Sequence, residues 1–196
     1  MIERRRCDWA DKGDALMTKY HDEEWGVPLR DDREWYAKLT LDGAQAGLSW
    51  RTILYRREGY REAFHDFDVA RVASMTARDV ERLMKFEGII RNRQKIESAI
   101  ENARAFQTLQ AELGSFDRYI WSAVGGKPLQ PSRMPPWPAT TPLSDAISKD
   151  LKKRGFSFVG STIVYAFMQA AGVINDHRDD CFRKKPIATL GRRFKP

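Results

Sequence analysis

Two cysteine–histidine pairs lie at opposite ends of this 196-residue chain. Cys7 precedes His21 by 14 positions, and His177 precedes Cys181 by four. Four positions put two side chains on one face of a helix, and thiolate sulfur with imidazole nitrogen is a donor set that zinc accepts. Four protein donors fill a tetrahedral ion and leave no position for water. Such a metal would be structural and would staple the N-terminal segment to the C-terminal one. A plainer reading stands beside it, in which the apolar core hides the two cysteines. They are the only cysteines of the chain, too few for a disulfide scaffold. His65 has no such companion and reads as a surface residue.

A second cluster occupies residues 20–26 and 41–50, which are dense in aromatic and acidic side chains. Tyr20 and Trp50 offer flat faces and Asp42 offers an acceptor. A pocket for a planar base drawn out of a nucleic-acid stack needs both. A positively charged base suits such walls best, because a cation over an aromatic face gains about 0.5–2 kcal/mol. The same spacing also fits core aromatics with Asp42 capping a helix start.

The elements that must position these residues are helical almost throughout, and the fold class is read as all-α. Asp32 is placed to cap a helix carrying Trp35, Leu39 and Leu41, and a second helix is expected after Gly43 with Leu48, Ile53 and Leu54 among its apolar positions. Thr76 opens a capping-box-like start, with Val80, Leu83 and Met84 on one face. Gly88 interrupts, and Asn92 begins a long helix with Ile96, Ile100 and Ala103 on its stripe. Ser115 can cap a further helix. Six of the nine prolines fall between residues 128 and 142, which predicts an irregular connector. A helix follows from Pro142 to Gly155, then a turn over 156–160, then a buried helix from Ser161.

The pair over residues 77–105 is a helix-hairpin-helix candidate. Gly88 is expected at positive φ, and Ile89 and Ile90 are expected to pin the hairpin into the core. The second helix then presents free amides at its N-terminus beside Arg91, Arg93 and Lys95, an arrangement that suits phosphate. An ordinary αα-hairpin with a solvated basic edge has the same pattern.

The net charge of +7 points to a polyanionic partner. Residues 182–196 carry Arg183, Lys184, Lys185, Arg192, Arg193 and Lys195 and no acid, so most of the excess sits in a basic C-terminal tail, either DNA-binding or simply solvated. The stretch 161–174 is too short to span a bilayer, and residues 1–6 lead into no apolar run, so neither a membrane segment nor a signal peptide is expected.

With these residues in view, the chain resembles bacterial DNA-3-methyladenine glycosylase I of the constitutive type. The blocks that carry the resemblance are Cys7-Asp8-Trp9, Tyr20-His21-Asp22-Glu23-Glu24-Trp25-Gly26-Val27-Pro28 and Gln45-Ala46-Gly47-Leu48-Ser49-Trp50. Further on are Gly88-Ile89-Ile90-Arg91-Asn92-Arg93, the run from Leu151 through Gly160, and Asn175-Asp176-His177 with Cys181. They are ordered and span residues 7–181. The resemblance implies a helix-hairpin-helix glycosylase fold and one compact domain over 1–181 with the hairpin at about 77–105. The basic tail over 182–196 lies outside the resemblance and is read from its charge alone. The resemblance also implies structural zinc on Cys7, His21, His177 and Cys181. It puts base contacts on Tyr20, Trp50, Trp9 and Met17, and the recognition carboxylate, the catalytic assignment, on Asp42. Leu48 in the Gly47-Leu48 turn would fill the gap left by the flipped nucleotide, and Gly88, Ile90, Arg91 and Arg93 would meet the DNA backbone.

The implied activity is hydrolysis of the N-glycosidic bond of 3-methyladenine in double-stranded DNA, in a monomeric, cytoplasmic bacterial enzyme acting at the nucleoid. Two departures stand out. Asp42 occupies the position of a family glutamate, one methylene longer, and Met17 stands where a pocket tyrosine is common. They leave a second reading open, a non-catalytic binder of alkylated DNA with a disabled pocket.

Overall fold

The structure is a computed structural model in which residues 4–10, 13–132, 134 and 136–195 are described. The described residues form eleven α-helices and no strand beyond one isolated parallel bridge between Leu129 and Ile174. The helices are α1 (Ala15–Glu23), α2 (Asp32–Gln45), α3 (Trp50–Leu54), α4 (Arg57–Ala63), α5 (Val69–Ala73), α6 (Ala77–Leu83), α7 (Arg93–Leu113), α8 (Phe116–Ala123), α9 (Pro142–Lys153), α10 (Ser161–Ala170) and α11 (Lys184–Arg193). A short 3-10 turn (His65–Phe67) joins α4 to α5. Among the described residues no helix is long and apolar enough to cross a membrane.

Helices α2, α7, α8 and α10 pack around one aromatic core. Trp35 on α2 meets Phe167 of α10 at 5.5 Å and Trp121 of α8 at 6.0 Å, and Phe106 of α7 stacks on Phe116 at 4.5 Å. Buried indole N–H groups need acceptors. Both Trp35 and Trp121 donate to Asp117 Oδ1, at 3.0 and 2.9 Å, so one carboxylate locks α2 to α8. Tyr36 donates its hydroxyl proton to the Ala99 carbonyl at 2.8 Å and ties α2 to α7.

Local chemistry explains most helix ends, with two shifts from expectation. Asp31, not Asp32, caps α2, accepting from the amides of Arg33 and Glu34. Asp32 instead reaches across the core to the start of α8 and accepts from the amides of Phe116 and Asp117 at 3.0 and 2.9 Å. It shares that end with Ser115, which accepts from Arg118 N as expected. The capping box at Thr76, the Asn92 start of α7 and the Thr141-Pro142 start of α9 all form. The second shift is at Gly43. It does not end α2, which continues to Gln45, and the next helix starts only at Trp50.

The turn between α6 and α7 depends on Gly88, though not through a positive φ, which Gly88 does not adopt. Its backbone lies against that of Gly59 in α4. A Cβ built on Gly59 would sit 2.2 Å from the Gly88 carbonyl oxygen, and one built on Gly88 would meet the Phe86 ring at 2.5 Å. Ile89 is buried beside this contact and Ile90 half-buried.

The segment expected as a basic tail folds as α11. Ile187, Gly191 and Phe194 recur at helical spacing among the basic residues and give it an apolar stripe. Ile187 is buried, and Phe194 rests on Trp121 with ring centres 4.2 Å apart.

A helix and a turn that touch backbone to backbone tolerate no side chain between them. Gly59→Ala should therefore cost about 1–3 kcal/mol in urea unfolding, although alanine favours helix over glycine. An unchanged or raised midpoint would refute this contact.

Candidate active site

The cavity of interest measures about 390 Å³, within the usual range of about 300–1,000 Å³ for small-molecule sites. Four parts of the chain build it: Trp9, Met17, Tyr20 and Trp25 around α1; Asp42 and Gln45 on α2 with Trp50 on α3; Trp137 from the proline-rich connector; and Thr162, Tyr165 and Gln169 from α10.

Local bonds set the position of each wall. Asp14 caps α1, accepting from Leu16 N and Met17 N. The same carboxylate takes the Arg51 guanidinium and the Tyr55 hydroxyl, so it clamps α1 to the α3 region. Tyr20 and Trp50 are thereby brought side by side, ring centres 5.1 Å apart and planes inclined by 42°. A base held between two faces needs contact distances of about 3.5 Å on each side, so about 7 Å between the rings. These two rings therefore do not sandwich a base. They form one inclined wall, and the cavity lies beside them.

Asp42 enters this cavity from the last turns of α2 and is 2% exposed. Among the described residues its Oδ2 has no hydrogen-bond partner, and neither does the buried indole N–H of Trp50. One acceptor and one donor are thus left open in an aromatic cavity, where an unmatched buried polar atom costs about 1–3 kcal/mol. Burial pushes the Asp42 carboxyl up to about 7, and the charge of Lys38, one helical turn away, pulls the other way.

Next to the cavity, Cys7, His21 and Cys181 bring their ligand atoms within 4.8 Å of one another, all three buried. Cys181 Sγ and His21 Nε2 are 3.5 Å apart, and His21 Nδ1 meets Asp22 at 2.8 Å, the orienting contact typical of a histidine ligand. The Cys181 thiol is lowered to about 5, first by its hydrogen bond with Cys7, which is itself raised by the same bond and by burial. His177 stands outside this trio. Its ring centre is 5.1 Å from that of His21, its Nδ1 faces Asn175 Oδ1 at 3.1 Å, and its Nε2 is buried without a partner. Burial, with the charge of His21, holds it down at about 3, so its imidazole is neutral.

Between cluster and cavity lies Asp176. Its carboxylate accepts from the Tyr165 hydroxyl and from Gln169 Nε2, the latter at 2.8 Å, and its carbonyl accepts from the Trp137 indole at 2.9 Å. The residue before His177 therefore holds three side chains of the cavity wall.

The family model described as methyladenine glycosylase matches residues 9–184. The chain belongs to the methyladenine glycosylase family. It is 48% identical to DNA-3-methyladenine glycosylase 1 of Escherichia coli (strain K12) over 178 residues, which cover 90% of this chain and 95% of that one. A crystal structure of 3-methyladenine DNA glycosylase I superposes with a TM-score of 0.87 at 50% identity, covering 91% of this chain and 98% of that one. A Staphylococcus aureus 3-methyladenine DNA glycosylase I, solved to show how 3-methyladenine is recognised, gives 0.85 at 39% identity and covers 88% and 93%.

In this family member the cavity gathers Tyr20, Trp50, Trp9, Met17 and Asp42, all five named from sequence. It also gathers Trp25, Trp137, Tyr165 and Gln169, which were not. Thr162, Tyr165 and Gln169 left a readable signal, polar-capable side chains on one face of an otherwise apolar helix. Trp137 left none, since an irregular connector has no period.

The residues expected to face DNA are more scattered. Leu48 is 40% exposed in the turn after α2, beside Gly47 at positive φ. Arg91 and Arg93 are exposed at the start of α7, but Arg93 is paired with Glu81 at 2.6 Å and Arg91 lies 3.9 Å from Glu87. The Ile90 amide reaches the Tyr60 hydroxyl at 3.4 Å. Lys95, which sequence gave no reason to think desolvated, is partly buried and lowered by it, yet its ammonium donates to the carbonyls of Ala44 and Ala46 at 2.8 and 2.6 Å. It braces the turn that carries Leu48.

Asp42 makes the pocket pH-sensitive in a calculable direction. Its carboxyl titrates higher in the folded chain, at about 7, than unfolded, so the native state binds the extra proton between the two values. That stability is full below the unfolded pKa and is lost as pH rises through about 7. Asp42→Asn removes the ionisation. It should gain on the order of 3 kcal/mol over wild type at pH 8 and little at pH 4 in urea unfolding. Equal differences at both pH values would show that Asp42 is not a strained buried acid.

Proposed function

We propose that this protein is a DNA-3-methyladenine glycosylase that flips the damaged nucleotide into the pocket beside Tyr20 and Trp50 and hydrolyses its N-glycosidic bond. One observation carries the assignment of the site: a buried carboxylate oxygen without a partner, set in an aromatic cavity, in a chain of this family. The exocyclic amino group of adenine is a donor. In the N3-methylated nucleotide it shares a positive charge, so Asp42 is its natural acceptor and the inclined ring wall its stacking surface.

The roles divide as follows. Backbone amides of the 84–95 hairpin, with Arg91 and Arg93, take phosphates, which needs the surface ion pairs of those arginines to open. Such pairs are worth about 0–1 kcal/mol and exchange readily for phosphate. Leu48 fills the stack. Trp9 and Met17 close the pocket around the base. Water attacks the sugar carbon, a C–O bond forms as the C–N bond breaks, the electron pair goes to the base nitrogen and neutralises the purine, and the water proton passes to solvent. A charged base leaves readily, so little acid–base help is required. Lys95 is engaged on two carbonyls, which supports hydrolysis over amine-based lyase chemistry.

Zinc on Cys7, His21, Cys181 and His177 fits the residues present. Three donors are already clustered, and the fourth offers a neutral, unpartnered Nε2. Bound there, a zinc ion supplies structure only, since four protein ligands close it to water. We also read the chain as one compact monomeric domain carrying the hairpin over 77–105, working in the bacterial cytoplasm on double-stranded DNA.

Chromatography of bases freed from methylated DNA tests the activity. Wild type should release 3-methyladenine, and Asp42→Asn should do so at least about tenfold more slowly with its fold intact. Tight binding of methylated DNA without release would favour the non-catalytic binder, and a borohydride-trapped adduct would favour a lyase. For the metal, Cys181→Ser should lower zinc content and lower Tm by about 10 °C together. Full stability of the zinc-free wild type would exclude the staple.

A further inference from the structure

One cation near the pocket lacks a counter-ion. Lys38 leaves α2 one turn before Asp42, on the same helix face. Its Nζ lies 5.1 Å from the centre of the Tyr20 ring and 5.8 Å from that of Trp50. Among the described residues no carboxylate oxygen lies within 4.0 Å of it. Lys38 does not line the first cavity. It lines a second, of about 290 Å³, with Glu24, Glu34 and Arg57.

We propose that Lys38 is a positioning residue for the glycosylase reaction: from behind the Tyr20–Trp50 wall, its charge keeps Asp42 an anionic acceptor for the edge of the base. The inference rests on the glycosylase reading and adds to it a residue that never touches the substrate.

A buried carboxylate with an unpartnered oxygen in an aromatic cavity reverts to the neutral acid unless another charge opposes this. The groups around the pair are few. Glu24 follows α1 and Arg57 begins α4, and they pair with each other at 2.6 Å, so their fields largely cancel. Burial lowers the Lys38 pKa, and Asp42 opposes this, joined by Glu24 and by Glu34 one turn before Lys38 on α2. Helix α1 adds Tyr20, α3 adds Trp50, and α10 adds Tyr165 and Gln169, both of which donate to the Asp176 carboxylate on the far side of the cavity wall. Lys38 remains as the charge that lowers Asp42, against the larger effect of burial.

Lys38 has a second effect on the same wall. A cation resting on a ring uses part of the ring's quadrupole, so the ring attracts another cation less. Recognition of a positively charged base is thereby moved from the rings to the carboxylate.

The test is the pH profile of single-turnover 3-methyladenine release by full-length wild type, Lys38→Met and Lys38→Arg, with a carbon NMR titration of the Asp42 carboxyl in each. Wild type should show an acid limb near pH 7. Lys38→Met should shift that limb and the Asp42 titration upward, with release about tenfold slower at about pH 6, the effect of one pK unit, and rates converging with wild type at high pH. Lys38→Arg should restore both. Should the methionine variant fail to fold, Lys38→Gln carries the same expectation. An unmoved limb, or a loss uniform at every pH, overturns the proposal. If wild type releases no base, the glycosylase reading fails instead, and the carboxyl titration still decides whether Lys38 acts on Asp42.

Discussion

The structure turns on a carboxylic acid that has been buried without a partner. A helix supplies no spare N–H groups to its own side chains in mid-run, so an acid four residues from the end of α2 can be satisfied only from outside the helix. Neighbouring elements withhold that help. Rings surround Asp42, and the nearest charge is an ammonium one turn away. To keep an acid in such a place the helix that carries it must be unable to move. That explains the investment on the other faces of α2, where Trp35 and Tyr36 are bonded through their polar tips to α8 and α7. Lys95 does the same at its C-terminal end, gripping the last carbonyls.

The pocket and the cysteine–histidine cluster form one device, although they are far apart in sequence. His21 lies directly after Tyr20, and His177 directly after Asp176. Whatever fixes His21 fixes the ring wall, and whatever fixes His177 fixes the carboxylate that holds Tyr165, Gln169 and Trp137. A chain folded this way brings its two ends together at the site where it does chemistry. The terminal segments are usually the first to fray, so they need a strong tether if they are to shape a pocket.

Sequence made the helical architecture legible because capping residues and apolar periods are local. It made Tyr20, Trp50 and Asp42 legible because flat faces beside an acid are a chemical statement, and the family resemblance reinforced it. Non-local facts were hidden. Gly43 looked like a break because glycine is a poor helix former, yet packing against Phe158 and the core carried α2 through it. Gly88 looked like a residue chosen for its φ, while its partner, Gly59, lies 29 positions away. The C-terminal helix was masked by its charge, since six basic residues drew the reading away from the stripe of Ile187, Gly191 and Phe194. The inclination of Tyr20 to Trp50, which makes the two flat faces a single wall, depends on Asp14 bridging α1 and α3, and no spacing rule contains that bridge.

A charged acceptor is an ambiguous aid to this reaction. The base carries its positive charge while bonded and loses it as the bond breaks, so a full carboxylate holds the starting state more tightly than the product. Interaction that is stronger in the ground state than in the transition state adds nothing to the chemical step. At an effective dielectric of about 20, a unit pair at 4 Å is worth about 4 kcal/mol, enough to select the damaged base and also enough to slow its departure. An acid poised near neutrality resolves the conflict. In the proposed role it accepts from the cationic base on arrival, because the base's charge itself favours ionisation. It can take up a proton once that charge is gone, which releases the neutral purine. On this argument the buried, unpartnered position of Asp42 serves turnover as much as recognition, and a carboxylate with a full set of hydrogen bonds would bind the damaged base well and release it slowly.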